Sequence, residues 1–252
     1  MTNPFAPPSA HTVIRATLEG EEFSLSFEAT VPAGATTVGE MLPLARALAD
    51  TIVGEAVRLV EEAGESISCT SGCGACCRSQ VAISQPEARD LHDLVAALPE
   101  ARRAVVQQRF RLARRRLEAA GLLDQMRDFD SWTDADYQSM VGAYFALGIA
   151  CPFLEQESCS IYARRPITCR EFLVTSPPRL CARQDSGGMK QVRLPLRLFN
   201  AVARWQVPAQ GEFMERWVPL ILALDWAAAH PDDAPPRPGP ALLEELVRCI
   251  NR

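Results

Sequence analysis

The chain has 252 residues, a hydrophobic fraction of 48% and a formal net charge of -5. That is enough apolar material to bury a core, and there is no basic excess to draw the whole chain to nucleic acid or an anionic membrane. The richest apolar stretch, Val218 to Ala229, is too short to span a bilayer and contains Asp225. The opening Met1-Thr-Asn-Pro-Phe-Ala-Pro-Pro has neither the basic start nor the apolar run of a secretory signal, so a cytoplasmic location is expected.

In chain order, His11 to Val31 alternates apolar and polar residues around Gly20-Glu21-Glu22, which predicts a β-hairpin. Gly39 to Ala63 follows with Met41, Leu44, Leu48, Ile52, Ala56 and Leu59 at helical spacing, closed by Gly64. Ser84 to Glu87 is a capping box with Pro86 in the first turn, opening a helix to about Leu98. A second helix runs from Pro99 to Ala120 over Val106, Phe110, Ala113 and Leu117, ended by Gly121; a third spans Asp134 to Leu147. Asp185-Ser-Gly-Gly188 marks a turn, and Leu196–Trp205 and Glu212–Ala229 are further helix candidates. Pro231 to Pro240 has five prolines in ten positions and is expected to be a linker before a last helix, Ala241 to Ile250, packed through Leu243, Leu246, Val247 and Ile250. The fold class expected is α+β, mainly helical, with a loop-rich cysteine core and a short β-hairpin. Three segments are expected to pack as one unit: 1–68, hairpin and helix; 69–185, cysteine-cluster domain; and 186–252, helical extension.

The nine cysteines carry the chemistry. An odd number cannot pair fully within one chain, and in a reducing compartment clustered cysteines are more often ligands or catalysts than disulfides. Cys69-x3-Cys73-x2-Cys76-Cys77 is a tight loop in which Gly72 and Gly74 let backbone N–H groups turn toward sulfur. Adjacent side chains diverge, so one of Cys76 and Cys77 is expected to face a different ligand set, a second metal or the core. In the second group, the polar Glu155 to Ser158 predicts a hairpin turn that brings Cys151 and Cys159 together. Arg164-Arg165-Pro166 then returns Cys169 to the same place, with Cys181 a weaker candidate further on. A four-thiolate centre is a net anion, so Arg164, Arg165 and Arg170 are candidate charge partners. All eight clustered cysteines are candidate metal ligands, sufficient for two four-cysteine sites or for one site with spare thiols.

These two blocks, Cys69 to Cys77 and Cys151-Pro-Phe-Leu through Ile161-Tyr162, Arg165-Pro166 and Cys169-Arg170, resemble the YkgJ-type cysteine-cluster family of zinc- or iron-chelating, often iron–sulfur, proteins. The resemblance covers the middle of the chain and implies metal binding. Flagellin lysine methylases have a similar cysteine arrangement, which by analogy allows an enzymatic role. The three-cysteine loop also matches that of radical S-adenosylmethionine enzymes, but those need a partial barrel after it. The residues following Cys77 read as successive helices, and Ala75 replaces the usual aromatic.

Between metals, only Cys73 and Cys76 form the C-x2-C knuckle of zinc sites, while Cys-Pro and C-x3-C-x2-C favour iron–sulfur, so a [4Fe–4S] cluster is expected ahead of zinc. Its expected ligands are Cys69, Cys73, Cys76 and one of Cys151, Cys159 or Cys169. His11, His92 and His230 lie outside the clusters and are expected at the surface. Trp132, Tyr137, Tyr144, Trp205, Trp217 and Trp226 are expected in or near the core, and Cys249 is a packing residue. The arginines from Arg102 to Arg116 are spread around their helix, as on a solvated face rather than an RNA-binding stripe. No Ser/His/Asp set, phosphate loop or dinucleotide fingerprint occurs, so any catalysis would run through the metal or a thiol. The partner expected is a protein or small molecule, not nucleic acid or membrane.

Overall fold

The computed structural model describes residues 10–20, 23–127, 133–182, 188–205 and 217–251. It is an α+β structure, mainly helical. Strands β1 (His11–Gly20) and β2 (Phe23–Pro32) pair antiparallel, with Leu18 facing Leu25 and Ile14 facing Ala29. The opposite face is a ladder of polar pairs: Arg15 with Glu28 at 2.5 Å and Thr17 with Ser26 at 3.1 Å. The apolar face lies on helix α1 (Val38–Glu62), which Thr37 and Glu40 start as a reciprocal capping box. The other half of this core comes from the far end of the chain: α7 (Leu198–Arg204), with Trp205 just after it, and α9 (Gly239–Ile250). The Trp205 indole N–H donates to the Leu242 carbonyl at 3.1 Å. Strand β3 (Ala35–Thr36) pairs with β8 (Arg237–Pro238) beside it.

A second core joins β4 (Ala82–Ser84), α2 (Gln85–Ala96), α3 (Glu100–Ala119) and β7 (Trp217–Pro219), with Phe153 packed edge-on to Phe110 at its centre. Helices α4 (Leu123–Arg127) and α5 (Asp134–Ala146) close its far side with Ile221 and Leu222. Between the cores run a two-residue-strand hairpin, β5 (Leu154–Glu155) and β6 (Ser158–Cys159), and the short helix α6 (Ile167–Glu171). Helix α8 (Ala223–Ala229) lies against α2. Among the described residues every sheet is two-stranded and antiparallel, and no helix is long and apolar enough to cross a membrane. A partial barrel of the radical-enzyme kind is not built from such pairs.

The predicted helices at α1, α2, α3 and α5 form within two residues of their expected bounds. Three expectations fail for identifiable reasons. Leu59 is 46% exposed because the last turns of α1 rotate Ala56, Val53 and Val60 toward Leu173 and Val192 instead. Of the helix expected over Glu212–Ala229, residues 212–216 lie outside the described residues, and Trp217–Pro219 is a strand. Val218 opposes Ile83 there, Pro219 cannot donate inside a helix, and α8 begins only at Ala223. The proline-rich stretch is no loose linker: Arg237–Pro238 pairs with Ala35–Thr36, and Gly239-Pro240 supplies the first turn of α9. Helix α7 begins two residues late, where the Glu171 carboxylate receives the Leu198 and Phe199 N–H groups. Trp132 and residues 185–187 of the expected turn lie outside the described residues, as does the Tyr137 side chain. Helix α4 adds to the expected elements.

The buried capping box at α2 does more than start a helix. Glu87 is 1% exposed and accepts from Ser84 N and Oγ at 3.0 and 2.8 Å and, with its other oxygen, from Ile167 N at 2.7 Å. The equivalent Glu40 box is open to solvent. We predict that Glu87→Ala costs about 3 kcal/mol, whereas Glu40→Ala costs about 1 kcal/mol. Urea unfolding of the two variants checks this, and equal losses contradict it.

Candidate metal centre

The first cysteine loop has no regular element; successive tight turns hold it. Cys73 N donates to Thr70 O at 3.1 Å, Cys77 N to Gly74 O at 3.0 Å and Ser79 N to Cys76 O at 3.0 Å. Gly72 sits at φ 90°, where a side chain would be strained. Gly74 lies so close to the β5–β6 turn that a Cβ there would come within 2.6 Å of Leu154 Cδ1 and 2.8 Å of Glu157 O. Arg78 clamps that turn from the other side, donating to both Glu157 oxygens at 3.0 and 2.6 Å. The Cys77 carbonyl accepts from Cys151 N at 2.7 Å, which joins the two cysteine groups through their backbones.

The second group folds back as its spacing suggests, with one adjustment. Cys159 opposes Leu154 across the hairpin, so Cys151 lies just before the ladder, its carbonyl accepting from Leu154 N at 2.9 Å. A 3-10 turn at Tyr162–Arg164 leads through Pro166 into α6, which carries Cys169. Thr168 Oγ1 donates to Ala82 O at 2.6 Å and so ties α6 to β4. Arg170 is buried and donates to Asp50 of α1 at 2.7 and 2.6 Å and to the Arg165 and Ala163 carbonyls at 3.0 and 2.5 Å. Asp90 of α2 receives both Arg164 and the buried Arg46 of α1. Beyond α6, Ser68 N bonds Val174 O at 2.9 Å, and a 3-10 turn at Pro178–Leu180 turns the chain to Cys181.

The eight clustered cysteines form no disulfide and all line one cavity of about 370 Å³. Of the three candidate arginines, only Arg165 lines it, its guanidinium 4.2 Å from the Tyr162 ring centre. Arg165 acts electrostatically on Cys69, Cys76 and Cys159. Arg164 and Arg170 are committed to Asp90 and Asp50 and brace the loop. Cys249 lies elsewhere, buried in α9 within the first core. The histidines sit outside the cavity.

Burial sets the electrostatics. It pushes the thiols of Cys151 up to about 12 and Cys181 up to about 11, raises Cys69 and Cys159, and raises Cys169 well above the ordinary 9.0. Cys76 is drawn down to about 7, chiefly by a hydrogen bond from the Cys77 thiol, which rises in turn. Most of the cavity therefore holds neutral thiols that would ionise only against a cation. That donor set, all sulfur, suits zinc or iron–sulfur. Among the described residues, no group of three or more His, Cys, Asp or Glu is arranged to hold a single metal ion.

Among the lining residues that carry no signal in the sequence are Gln80, Glu171 and Arg197. Gln80 is 9% exposed with neither amide atom bonded, and Glu171 is pushed up to about 7 by burial. Glu171 follows the Cys169-Arg170 motif directly, but nothing in its spacing marks it as lining the cavity.

Residues 68–189 match the family model CxxCxxCC, described as "Putative zinc- or iron-chelating domain". This is the cysteine-cluster family that the motif spacing resembles, and the matched stretch contains all eight clustered cysteines. No curated protein and no solved structure matches the chain. The match, over residues 68–189, supports metal binding by this segment.

Two pH effects follow, with opposite signs for the two forms. Folded thiols that titrate above 9.0 bind protons that the unfolded chain gives up, so the apo protein loses stability as pH rises through about 9. Metal displaces those protons, so its affinity climbs with pH between about 6 and 8. Thermal melts of apo protein and chelator-competition titrations check the pair; a pH-independent metal affinity contradicts it.

Proposed function

We propose that the chain holds a cysteine-ligated iron–sulfur centre and serves in redox chemistry or metal handling. The observation that carries this is that all eight clustered thiols line one cavity, an all-sulfur donor set. The Cys151-Pro152 dipeptide and the Cys69-x3-Cys73-x2-Cys76 loop favour iron–sulfur over the paired C-x2-C knuckles of structural zinc sites. Bound there, the cluster supplies one-electron redox chemistry or Lewis acidity. The chain's own residues supply the thiolates and place the Arg165 cation beside Cys69, Cys76 and Cys159, where it offsets the negative charge of thiolate ligation.

A second reading, a metal-dependent modifying enzyme, is favoured by one feature. The cavity is not closed by thiols alone; it extends past them to Gln80, Glu171, Gln191, Arg197 and the Phe199 ring stacked on Trp217 at 3.7 Å. A structural staple has no need of such space, whereas a site for a small substrate does.

Anaerobic purification followed by absorption spectroscopy and iron, zinc and sulfide analysis decides between metals. The proposal expects a brown protein with iron and acid-labile sulfide, whose colour is lost in Cys73→Ser and retained in Cys249→Ser. A colourless protein with stoichiometric zinc contradicts it and makes the domain a folding staple.

A further inference from the structure

We infer that the end of the cavity beyond the thiols binds a small organic carboxylate with an apolar body and a hydrogen-bonding group at its far end. Arg197 pairs with the carboxylate and Gln80 reads the far group. The inference deepens, and rests on, the reading of this cavity as a small-substrate site beside a metal.

The charge of the site selects an anion. Apart from the cysteines, the ionisable side chains with a full charge that line the cavity are Arg165, Glu171 and Arg197. Arg165 is stacked on Tyr162, just past Cys159. Glu171 commits one oxygen to Leu198 N at 2.6 Å and the other to Phe199 N at 3.4 Å. Arg197 is exposed at the cavity's edge and has no hydrogen bond or ion pair among the described residues. It is the cation left for a ligand, and its planar fork matches a carboxylate.

Gln80 is the second, independent observation. It is 9% exposed, it lines the cavity, and neither its Oε1 nor its Nε2 has a partner among the described residues. An amide offers two donors and two acceptor positions, and burying it without partners costs stability. The recess behind it, toward Tyr144 and Ile221, measures about 10 Å³. That is room for one water at most, too little to meet both ends of the amide. A polar group kept at a cost in stability, where an aliphatic one would pack, is the mark of a residue held for a ligand.

The sheet between the two residues sets the ligand's length. Leu220 N donates to Val81 O at 2.8 Å, next to Gln80. Trp217 lies three residues back along β7, roughly 10 Å away at extended spacing. Phe199 stacks on Trp217 with ring centres 3.7 Å apart, and Arg197 stands two residues before Phe199. The wall between the polar ends is apolar, made by Val81, Leu220 and Phe199. An arylpropionate with a para hydroxyl has this length and this order of groups, and serves as the probe.

The test is isothermal titration of anaerobically purified full-length protein with para-hydroxyphenylpropionate, phenylpropionate and para-ethylphenol. The hydroxylated acid should bind tightest. Arg197→Ala should weaken both acids about tenfold or more and leave para-ethylphenol unchanged, with Arg197→Lys restoring part of the loss. Gln80→Leu should bring the hydroxylated acid down to the level of phenylpropionate, leave phenylpropionate unchanged, and raise the melting temperature, because it removes an unpaired buried amide. Absence of binding, or acids that bind no better than para-ethylphenol, overturns the inference. So does an equal loss for all three probes in Arg197→Ala, or a Gln80→Leu protein that melts lower, which would make the amide a structural group. Metal is measured in the same samples. A metal-free wild type sinks the metal-binding reading alone, since the probe affinities still decide this inference.

Discussion

Deprotonated sulfur is costly to bury, and this chain gathers eight thiols around one space. Desolvation keeps Cys151, Cys169 and Cys181 protonated far past neutrality, and each thiolate that forms makes the next one harder. Arg165 is the cation that acts on several of them, and a single guanidinium cannot offset several thiolates. A multivalent cation satisfies the set, and the rest of the architecture is the frame that holds the thiols in waiting.

Part of that frame lies outside the stretch matched by the family model, residues 68–189. Asp50 and Arg46 belong to α1, yet Asp50 holds Arg170 and Arg46 shares Asp90 with Arg164. Glu87 and Glu171 carry backbone N–H groups of Ile167, Leu198 and Phe199 on buried carboxylates. Such contacts cost more to break than they gain when made, because a lone partner is left buried without a hydrogen bond. They therefore fix one arrangement of the Tyr162–Cys181 loop. The basic helix α3 braces the hairpin that precedes this loop. Arg102 and Arg109 converge on Glu155, and Arg109 also reaches the Pro152 carbonyl at 3.1 Å. These two arginines anchor the hairpin beside Cys151 and Cys159.

What can be read in the sequence is local. The capping box at Ser84–Glu87 and the apolar periodicity of α1 and α3 mark helices because each depends on neighbours three or four residues away. The cysteine pattern marks the site because thiol spacing is itself the chemistry. What cannot be read depends on remote partners. The Trp217–Pro219 strand exists because Ala82–Ser84 accepts it, and the proline-rich segment is pinned by Ala35–Thr36 at the other end of the chain. Arg164, Arg165 and Arg170 are equivalent on paper; only the positions of Asp90 and Asp50 leave Arg165 facing sulfur. Gln80 and Glu171 carry no motif, and only the folded cavity shows that they line it.

If the thiols are held ready for a multivalent cation, the metal lies inside this one cavity and is bound by cysteines from both blocks. A crystal of the anaerobically purified protein, with data collected on either side of the iron absorption edge, puts that to the proof. Anomalous density is expected to appear above the edge, inside the cavity and within bonding reach of sulfurs from both the Cys69–Cys77 and Cys151–Cys181 groups. Iron density elsewhere on the molecule, or a cavity with no anomalous scatterer in a protein that carries metal, contradicts it.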